Sequence, residues 1–260
     1  MMSANLSNAE GLVALARYVA CDTLFAFNLD GTLAPIVEEY SAVQIAEPVR
    51  AALERLVALA KVAVITGRSR NDALSILRIE PQLVIGNHGA EWPPHEYNRN
   101  WKLVECCLKW REQLYGVLFS VKGVDIEFKG ESLSIHYRKV TDKKNALLLI
   151  NSAIGKLEPS PKIIGGKYVV NLIPMETFSK GEALMATMDK LGLKRAIYIG
   201  DAIIDKEVFK LKSIDLFGIH IGKVDQAVAP YYLNKQSDIL GLLDSMVGIL
   251  ELHSEEKSKQ

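Results

Sequence analysis

Short apolar segments that alternate with helical stretches constrain the fold of this chain more than any other feature of its sequence. Such segments lie at residues 24–27, 61–65, 83–85, 196–199 and 216–221, and β-branched or aromatic residues are frequent in them. Each is too short to form a regular helix, and helix-like patterns lie between them. Because strands that alternate with helices build parallel sheets, we predict an α/β core with helices on the faces of a parallel sheet.

The pattern changes between residues 95 and 174, where two predicted hairpins each follow a helical stretch. Apolar and polar residues alternate on both sides of the turn at Gly130, which is typical of an antiparallel sheet with one buried and one polar face. We predict that residues 95–174 form an inserted α+β domain with the order αββαββ. The core domain is then discontinuous and comprises residues 1–94 and 175–260.

The composition argues against several classes of function. The 260 residues include 31 Lys plus Arg and 31 Asp plus Glu, so no basic excess indicates a nucleic-acid partner. No apolar run approaches the length of a spanning helix and the start lacks a signal-peptide pattern, so we expect a soluble, cytoplasmic protein without a membrane partner. The polar tail at 254–260 is predicted to be disordered. The sequence leaves the oligomeric state open.

Polar residues follow the predicted core strands at the points where the strands end, and one lysine begins a predicted helix. They are Asn28, Asp30, Thr66, Lys180, Asp201 and Asp205. Each has an ordinary explanation, since Asp30 suits a turn, Asp201 suits a helix cap, and Lys180 suits a solvated surface. A cation at a helix N-terminus is nevertheless unfavourable by about 0.3–1 kcal/mol unless an anion lies nearby. Because the carboxyl ends of parallel strands meet at one edge, where ligands bind, the ordered occurrence of these residues favours one shared site.

The same residues resemble the four motifs of the haloacid dehalogenase superfamily. The motifs match Asn28-Leu-Asp30-Gly-Thr32, Thr66, Lys180 and Gly200-Asp201-Ala-Ile-Ile-Asp205. The resemblance implies a Rossmann-like parallel-sheet core with an inserted cap domain, and a site for phosphoryl transfer. It implies that residue 28 is the nucleophile and Asp30 the general acid/base, while Thr66 and Lys180 hold the phosphoryl oxygens.

The resemblance also implies a Mg²⁺ cofactor, because carboxylate and carbonyl oxygens bind this hard cation. The implied ligands are the side chain of residue 28, which is Asn28 in this chain, the main-chain carbonyl of Asp30, and the carboxylate of Asp201. Asp205 is expected either as a further ligand or as a partner of one.

Further segments resemble trehalose-6-phosphate phosphatases within this superfamily, and the resemblance covers most of residues 24–210. They are Ala63-Val-Ile-Thr66-Gly-Arg68, Asn87-His88-Gly89-Ala90-Glu91, Glu127-Phe-Lys129-Gly-Glu-Ser132-Leu-Ser-Ile-His136-Tyr137-Arg138 and Gly166-Lys167-Tyr-Val. The resemblance implies substrate contacts from the core and from the polar face of the cap sheet. The implied contacts are Arg68, His88, Glu127, Lys129, His136, Arg138, Lys167 and Asn171. The alternative for the cap residues is a solvated sheet face with balancing charges.

Three departures from the family pattern bear on activity. Asn171 and Ile173 stand where the family has Glu and Arg, which leaves recognition of trehalose open. Ala202 and Ile204 replace an Asp and a Thr of the fourth motif, which predicts altered affinity for Mg²⁺. Asn28 replaces the nucleophilic Asp, and an amide oxygen is a poor nucleophile. Loss of a covalent nucleophile costs on the order of 10⁴–10⁶ in rate, so the chain with Asn28 is expected to be nearly inactive.

We therefore expect a Mg²⁺-dependent phosphatase that hydrolyses a sugar phosphate, foremost trehalose 6-phosphate, through a phospho-aspartate when residue 28 is Asp. Asn28 is either a deliberate substitution that traps substrate or the mark of a natural non-catalytic relative. Retention of the other core motif residues favours the first explanation, and the departures elsewhere favour the second. The alternatives are a phosphatase for a different phosphorylated glycoside and a non-catalytic regulatory protein that binds a sugar phosphate.

Overall fold

The computed structural model divides into two compact units. It describes residues 4–6, 8–37, 39–93, 101–201, 205–222 and 229–258, without the side chains of 257 and 258. The core unit comprises the described residues up to Gly89 and from Ser179 onward, and the insert unit runs from Ala90 to Phe178. The predicted division at residues 94 and 175 stays a prediction, because residues 94–100 lie outside the described ranges.

Strands and helices alternate along the core unit and in pairs along the insert unit. The strands in the described ranges are β1 (Ala4–Asn5), β2 (Thr23–Phe27), β3 (Lys61–Ile65), β4 (Leu83–Ile85), β5 (Asp125–Phe128), β6 (Leu133–His136), β7 (Lys162–Gly166), β8 (Val169–Ile173), β9 (Arg195–Asp201), β10 (Asp215–Ile221) and β11 (Tyr231–Leu233). The helices there are α1 (Ala9–Ala16), α2 (Glu47–Leu59), α3 (Arg70–Leu77), α4 (Trp101–Leu118), α5 (Lys143–Ile154), α6 (Lys180–Leu191) and α7 (Ile239–Ser258). None of these helices has the length and apolar composition to cross a membrane.

The core sheet is parallel throughout and places β2 in its interior. Its strand order is β1-β11-β10-β9-β2-β3-β4, and every neighbouring pair runs in the same direction. Phe27 at the end of β2 is in register with Ile199 of β9 and Val64 of β3. The ends of these three strands therefore meet at one edge, and the predicted α/β core with a parallel sheet is confirmed.

Burial explains why the strands of this sheet are apolar without alternation. All five residues of β2 are buried, as expected when both faces of a parallel sheet are covered. Phe25 and Phe27 belong to an apolar cluster that includes Leu53 of α2 and Leu243 of α7. Helix α6 contacts β3.

Local capping sets where the site-bearing helix α6 begins and ends. The Ser179 side chain accepts a hydrogen bond from the Glu182 backbone N–H, and the Glu182 carboxylate accepts one from the Ser179 backbone N–H over 2.7 Å. Ser followed three positions later by Glu is the sequence pattern of such a capping box. Gly192 ends the helix with φ of 66°, a conformation that favours glycine. Lys180 is consequently the first residue of the helix.

The insert unit is an antiparallel sheet covered by two helices. The strand order is β5-β6-β8-β7, and all three pairs are antiparallel. Trp110 of α4, Ile150 of α5, and Ile135 and Leu172 of the sheet form its apolar cluster. The predicted order αββαββ is confirmed.

Two features at the periphery of the core unit differ from the sequence predictions. Helix α7 continues to Ser258, so the predicted disorder is wrong for the described part of the tail. The helix is anchored by Leu250, which is buried, and the Ser254 hydroxyl donates to the Leu250 carbonyl over 2.9 Å. Strands β1 and β11 were not predicted, because segments of two and three residues carry no recognisable period.

Truncation of Trp110 tests the core of the insert unit. The side chain is fully buried, and its indole N–H donates to the carbonyl oxygen of Pro159 over 2.8 Å. Trp110→Ala should lower the free energy of unfolding by about 3–5 kcal/mol, measured by urea unfolding. Trp101→Ala on the same helix is the control, since Trp101 is 69% exposed and its loss should cost less than about 0.5 kcal/mol. Equal effects of the two changes would contradict this packing.

Candidate functional site

The carboxyl edge of the core sheet collects the polar residues predicted from the strand ends. Asn28 directly follows β2, Thr66 directly follows β3, and Asp201 is the last residue of β9. Because β2 lies between β3 and β9, these residues end adjacent strands. The side chain of Lys180, at the start of α6, contacts residues at the same edge.

The Lys180 side chain connects two segments of this edge. It is 3% exposed, and its Nζ donates hydrogen bonds to Oδ1 of Asn28 over 3.1 Å and to Oδ1 of Asp205 over 2.6 Å. Asp205 is fully buried, and its Oδ2 accepts a hydrogen bond from the backbone N–H of Asp201 over 2.8 Å. Burial raises the pKa of the Asp205 carboxyl, and the Lys180 ammonium opposes this shift. The two charges therefore depend on each other in the absence of solvent.

Two glycines permit close approaches in the site. A Cβ at Gly200 would collide with Oδ2 of Asp205, so only glycine at this position lets the carboxylate reach the Asp201 backbone. A Cβ at Gly67 would collide with the imidazole ring of His88. His88 itself has φ of 60° and lies in a buried turn after β4.

The side-chain amide of Asn28 is held at both ends. Its Nδ2 donates to the main-chain oxygen of Asp30 over 2.9 Å, and its Oδ1 accepts from Lys180. Its backbone N–H donates to the carbonyl of Ile199 in β9 over 2.9 Å. Because a donor contacts Oδ1 and an acceptor contacts Nδ2, the orientation of the amide is determined by its partners. The group is 3% exposed and neutral.

The Asp30 carboxylate forms a two-point ion pair with Arg68. Nε and Nη2 of Arg68 donate to Oδ2 and Oδ1 of Asp30, each over 2.8 Å. Arg68 also donates to Oδ2 of Asp72 over 2.7 Å and to the carbonyl of Tyr40 over 3.2 Å, and its guanidinium lies 3.8 Å from the centre of the Tyr40 ring. Burial opposes the charge of Arg68, but the Asp30 hydrogen bonds outweigh it and raise the pKa of the guanidinium. Predicted as a substrate contact, Arg68 lies buried against Asp30 in this structure.

Thr66 is fully buried and forms hydrogen bonds with backbone groups around it. Its hydroxyl oxygen accepts a hydrogen bond from the Arg68 backbone N–H over 3.2 Å. Its carbonyl accepts one from the His88 N–H over 2.8 Å, and its own N–H donates to the carbonyl of Ile85 over 2.9 Å. Thr66 therefore ties the end of β3 to the turn after β4, beside the other residues of the edge.

The residues predicted as metal ligands make other contacts. Both carboxylate oxygens of Asp30 accept hydrogen bonds from Arg68, and both carboxylate oxygens of the buried Asp205 are hydrogen-bonded as well. The main-chain carbonyl of Asp30 accepts a hydrogen bond from Asn28, so an N–H group faces the oxygen that was expected to bind the ion. Asp201 ends β9 at the same edge.

These contacts do not fit a Mg²⁺ site. The ion takes oxygen ligands in a near-octahedral arrangement, and an amide N–H is not a ligand. Within the described ranges, no three His, Cys, Asp or Glu side chains form a group that could hold a metal ion. The predicted ligands are thus brought to one edge, where an N–H group of Asn28 occupies the side of the Asp30 carbonyl that was expected to face the ion. The two departures in the fourth motif, Ala202 and Ile204, lie outside the described residues.

On the insert unit, three predicted residues form a charged cluster on the polar face of the sheet. His136 Nε2 lies 2.8 Å from Oε2 of Glu127, and Lys129 Nζ lies 3.6 Å from the same oxygen. Burial opposes ionisation of Glu127, but its hydrogen bond with His136 and the charge of Lys129 outweigh it and lower the pKa of the carboxyl. This cluster offers both hydrogen-bond donors and acceptors, as sugar hydroxyls require.

Asn171 lies on the same face of the sheet, because the register aligns Glu127, Ser134 and Asn171 across β5, β6 and β8, whereas Arg138 and Lys167 lie elsewhere. Asn171 is buried, where its Oδ1 accepts from the Ser134 hydroxyl over 2.6 Å and its Nδ2 donates to the carbonyl of Ile164 over 3.2 Å. Arg138 donates to the carbonyl of Lys167 over 3.2 Å, beside the turn between β7 and β8.

Sequence reasoning missed several residues that position the site. Ser134 pairs with Asn171 across β6 and β8, and Asp72 and Tyr40 hold Arg68. Gln236 donates to the carbonyls that follow Asp30, at Thr32 over 3.0 Å and at Leu33 over 3.3 Å. The i,i+4 spacing of Arg68 and Asp72 was a usable signal for one of these contacts. The others join residues that are distant in sequence and carry no local pattern.

The fold and the arrangement of this edge define a haloacid dehalogenase-like protein. A solved structure of the C-terminal domain of trehalose-6-phosphate phosphatase from C. albicans has the same fold, with a TM-score of 0.74 and 18% sequence identity over 95% of this chain and 98% of that chain. The model of the trehalose-phosphatase family matches residues 26–233. This chain belongs to the trehalose-phosphatase family.

This chain is similar in sequence to proteins described as trehalose-phosphate phosphatases and to one described as a glycosyl hydrolase. A probable trehalose-phosphate phosphatase of Oryza sativa subsp. japonica is 27% identical over 85% of this chain and 64% of its own length. An uncharacterized glycosyl hydrolase of Mycobacterium tuberculosis is 30% identical over 70% of this chain and 15% of its own length. The chain therefore spans less than two thirds of either relative.

Removal of Arg68 tests its role as the partner of Asp30. Arg68→Ala leaves two carboxylates without their buried cation, and we expect the free energy of unfolding to fall by about 2–4 kcal/mol in urea unfolding. Arg55→Ala, which breaks an exposed pair with Glu251, is the control and should change stability little. A tolerated Arg68→Ala substitution would contradict the ion-pair role.

The lowered pKa of Glu127 predicts a pH-dependent contribution to stability. Its value in the folded protein lies below the ordinary 4.5, so the stabilisation is complete above that pH and is lost as the pH falls through the folded pKa. The difference in Tm between the protein and Glu127→Gln should therefore shrink as the pH is lowered from 7 to below 4.5. Glu112→Gln, at an exposed carboxyl of α4, is the control, and its Tm profile should follow that of the protein. A Tm difference between the protein and Glu127→Gln that stays constant with pH would contradict the predicted pH dependence.

Proposed function

We propose that this chain carries the site of a sugar-phosphate phosphatase, with trehalose 6-phosphate as the first candidate substrate, and that hydrolysis requires a carboxylate at position 28. The observation that supports the proposal is the position of the residue 28 side chain at the end of β2. One of its two terminal atoms contacts the Lys180 ammonium and the other contacts the backbone of Asp30. A carboxylate there would have a cation beside it and the acid/base candidate two residues away.

The proposed reaction has two displacements. An oxygen of Asp at position 28 bonds to phosphorus while the sugar oxygen leaves and takes a proton, and water then hydrolyses the phospho-aspartate and releases a proton. Lys180 stabilises the phosphoryl oxygens, and Asp30 exchanges the protons. Both oxygens of Asp30 accept hydrogen bonds from Arg68, so each of these proton exchanges requires that Arg68 first release one of the two oxygens.

The contacts of Asn28 and Asp30 decide whether Mg²⁺ is included in the proposed reaction. Phosphatases of this superfamily generally use Mg²⁺, and when bound the ion offsets phosphate charge. The contacts of Asn28 and Asp30 do not fit the ion in the chain with Asn28, so none of the steps above is assigned to it. Mg²⁺ dependence is therefore expected only when residue 28 is a carboxylate.

The substrate contacts proposed on the insert unit favour a phosphorylated sugar. Glu127, Lys129 and His136 form a compact group of donors and acceptors, which suits vicinal hydroxyls. The pairing of Asn171 with Ser134 leaves a neutral amide where the family has a sugar-binding Glu. This neutral pair favours, as a variant of the first proposal, a phosphorylated glycoside other than trehalose 6-phosphate.

The substitution Asn28→Asp tests the proposal. Phosphate release from a panel of sugar phosphates, with trehalose 6-phosphate included, is measured with Mg²⁺ for the chain and for Asn28→Asp. We expect Asn28→Asp to raise the rate by on the order of 10⁴–10⁶, and the ranking of the panel then identifies the substrate class. Asn28→Ala is the matched control and should stay inactive. Mass spectrometry of the chain checks that residue 28 is still an amide, because deamidation would generate Asp.

A second function is favoured by the fully bonded amide of Asn28. A neutral side chain with both ends occupied suits a protein that binds a sugar phosphate without hydrolysis, in a regulatory role. Calorimetry with the chain would then show binding of a sugar phosphate, and Asn28→Asp would stay inactive on every member of the panel. Turnover by Asn28→Asp would reject this second function, and absence of both binding and turnover would reject both.

A further inference from the structure

The amide nitrogen of Asn28 donates a hydrogen bond that an aspartate could not make. Nδ2 is 2.9 Å from the main-chain oxygen of Asp30, with a proton between them. An Asp side chain in the same position would place a carboxylate oxygen against a carbonyl oxygen, and both are acceptors. Asn28 is 3% exposed, so water has little access to relieve this contact.

The two buried cations at this edge already have carboxylate partners. Arg68 pairs with Asp30 through two hydrogen bonds and with Asp72 through a third, and Lys180 pairs with the fully buried Asp205. A neutral amide at residue 28 adds no further negative charge. A carboxylate would make Lys180 serve two buried anions at once, which leaves one negative charge uncompensated.

We propose that the Asn28 amide takes the place of a divalent cation at this edge of the sheet. With Asn28, the edge is closed by hydrogen bonds and its stability does not depend on a metal ion. With a carboxylate at 28, the repulsion between the new oxygen and the Asp30 carbonyl is relieved by a cation that both oxygens bind. The inference concerns stability and cation binding, so it goes beyond the proposed function and holds for any substrate.

Thermal unfolding in the presence and absence of cations tests this inference. Tm is measured for the protein and for Asn28→Asp in excess EDTA, in MgCl2 and in CaCl2. The protein should have the same Tm in all three. Asn28→Asp should unfold at a lower Tm than the protein in EDTA and should gain at least about 2 °C in MgCl2. Phosphate release is not measured, so failure of the proposed function and failure of this inference remain distinct.

Asn8→Asp is the matched control for an added negative charge. The Asn8 side chain accepts a hydrogen bond from the Gly11 N–H at the start of α1, and an aspartate keeps this cap. Asn8→Asp should therefore show no gain in Tm with Mg²⁺. Should Asn28→Asp fail to fold, calorimetric titration of the protein with MgCl2 decides, because absence of specific binding supports the inference. Specific Mg²⁺ binding by the protein would overturn the inference. So would an Asn28→Asp variant whose Tm is the same in EDTA and in MgCl2.

Discussion

The buried ion pair of Lys180 and Asp205 is the interaction on which the edge of the core sheet depends. Neither side chain has enough solvent to stabilise its charge alone, so each needs the other. The pair joins the start of α6 to the segment after β9, and the same ammonium also donates to Asn28 after β2. Three segments that are far apart in sequence are therefore held at one place, and the glycine at position 200 is required because the Asp205 carboxylate occupies the space of a side chain.

A second ion pair at the same edge gives Asp30 its position. Arg68 contacts both oxygens of this carboxylate and is itself held by Asp72 and by the ring and carbonyl of Tyr40. Asp30 and Asp205 each have a cation as partner, and the neutral Asn28 amide donates to the main-chain oxygen of Asp30 and accepts from Lys180. The edge thus combines the residues proposed for phosphoryl transfer with a neutral amide at the proposed position of the nucleophile.

Local sequence patterns predicted much of the fold and which residues lie together at the edge of the core sheet. The strands of the parallel core, the αββαββ insert and the capping box at Ser179 all follow from residues close in sequence. The partner of Arg68 did not follow, because Asp30 is 38 positions away and a buried arginine and a substrate-binding arginine look alike in sequence. Asn171 and Ser134 are 37 positions apart, and only the register of β6 and β8 makes them neighbours. Pairing between distant segments is decided by packing rather than by local propensity.

The sequence by itself determined the parallel core, the inserted sheet, the order of polar residues at the strand ends, and the presence of an amide at position 28. These properties depend on periodicity, turn residues and residue type, which are visible along the chain. Only the tertiary structure decided that Asp205 pairs with Lys180 in the interior, that Arg68 faces Asp30, and that the Asn28 amide donates to the Asp30 carbonyl. Each of these contacts requires strand order and register to bring distant atoms within hydrogen-bond distance, and no short stretch of sequence contains that information.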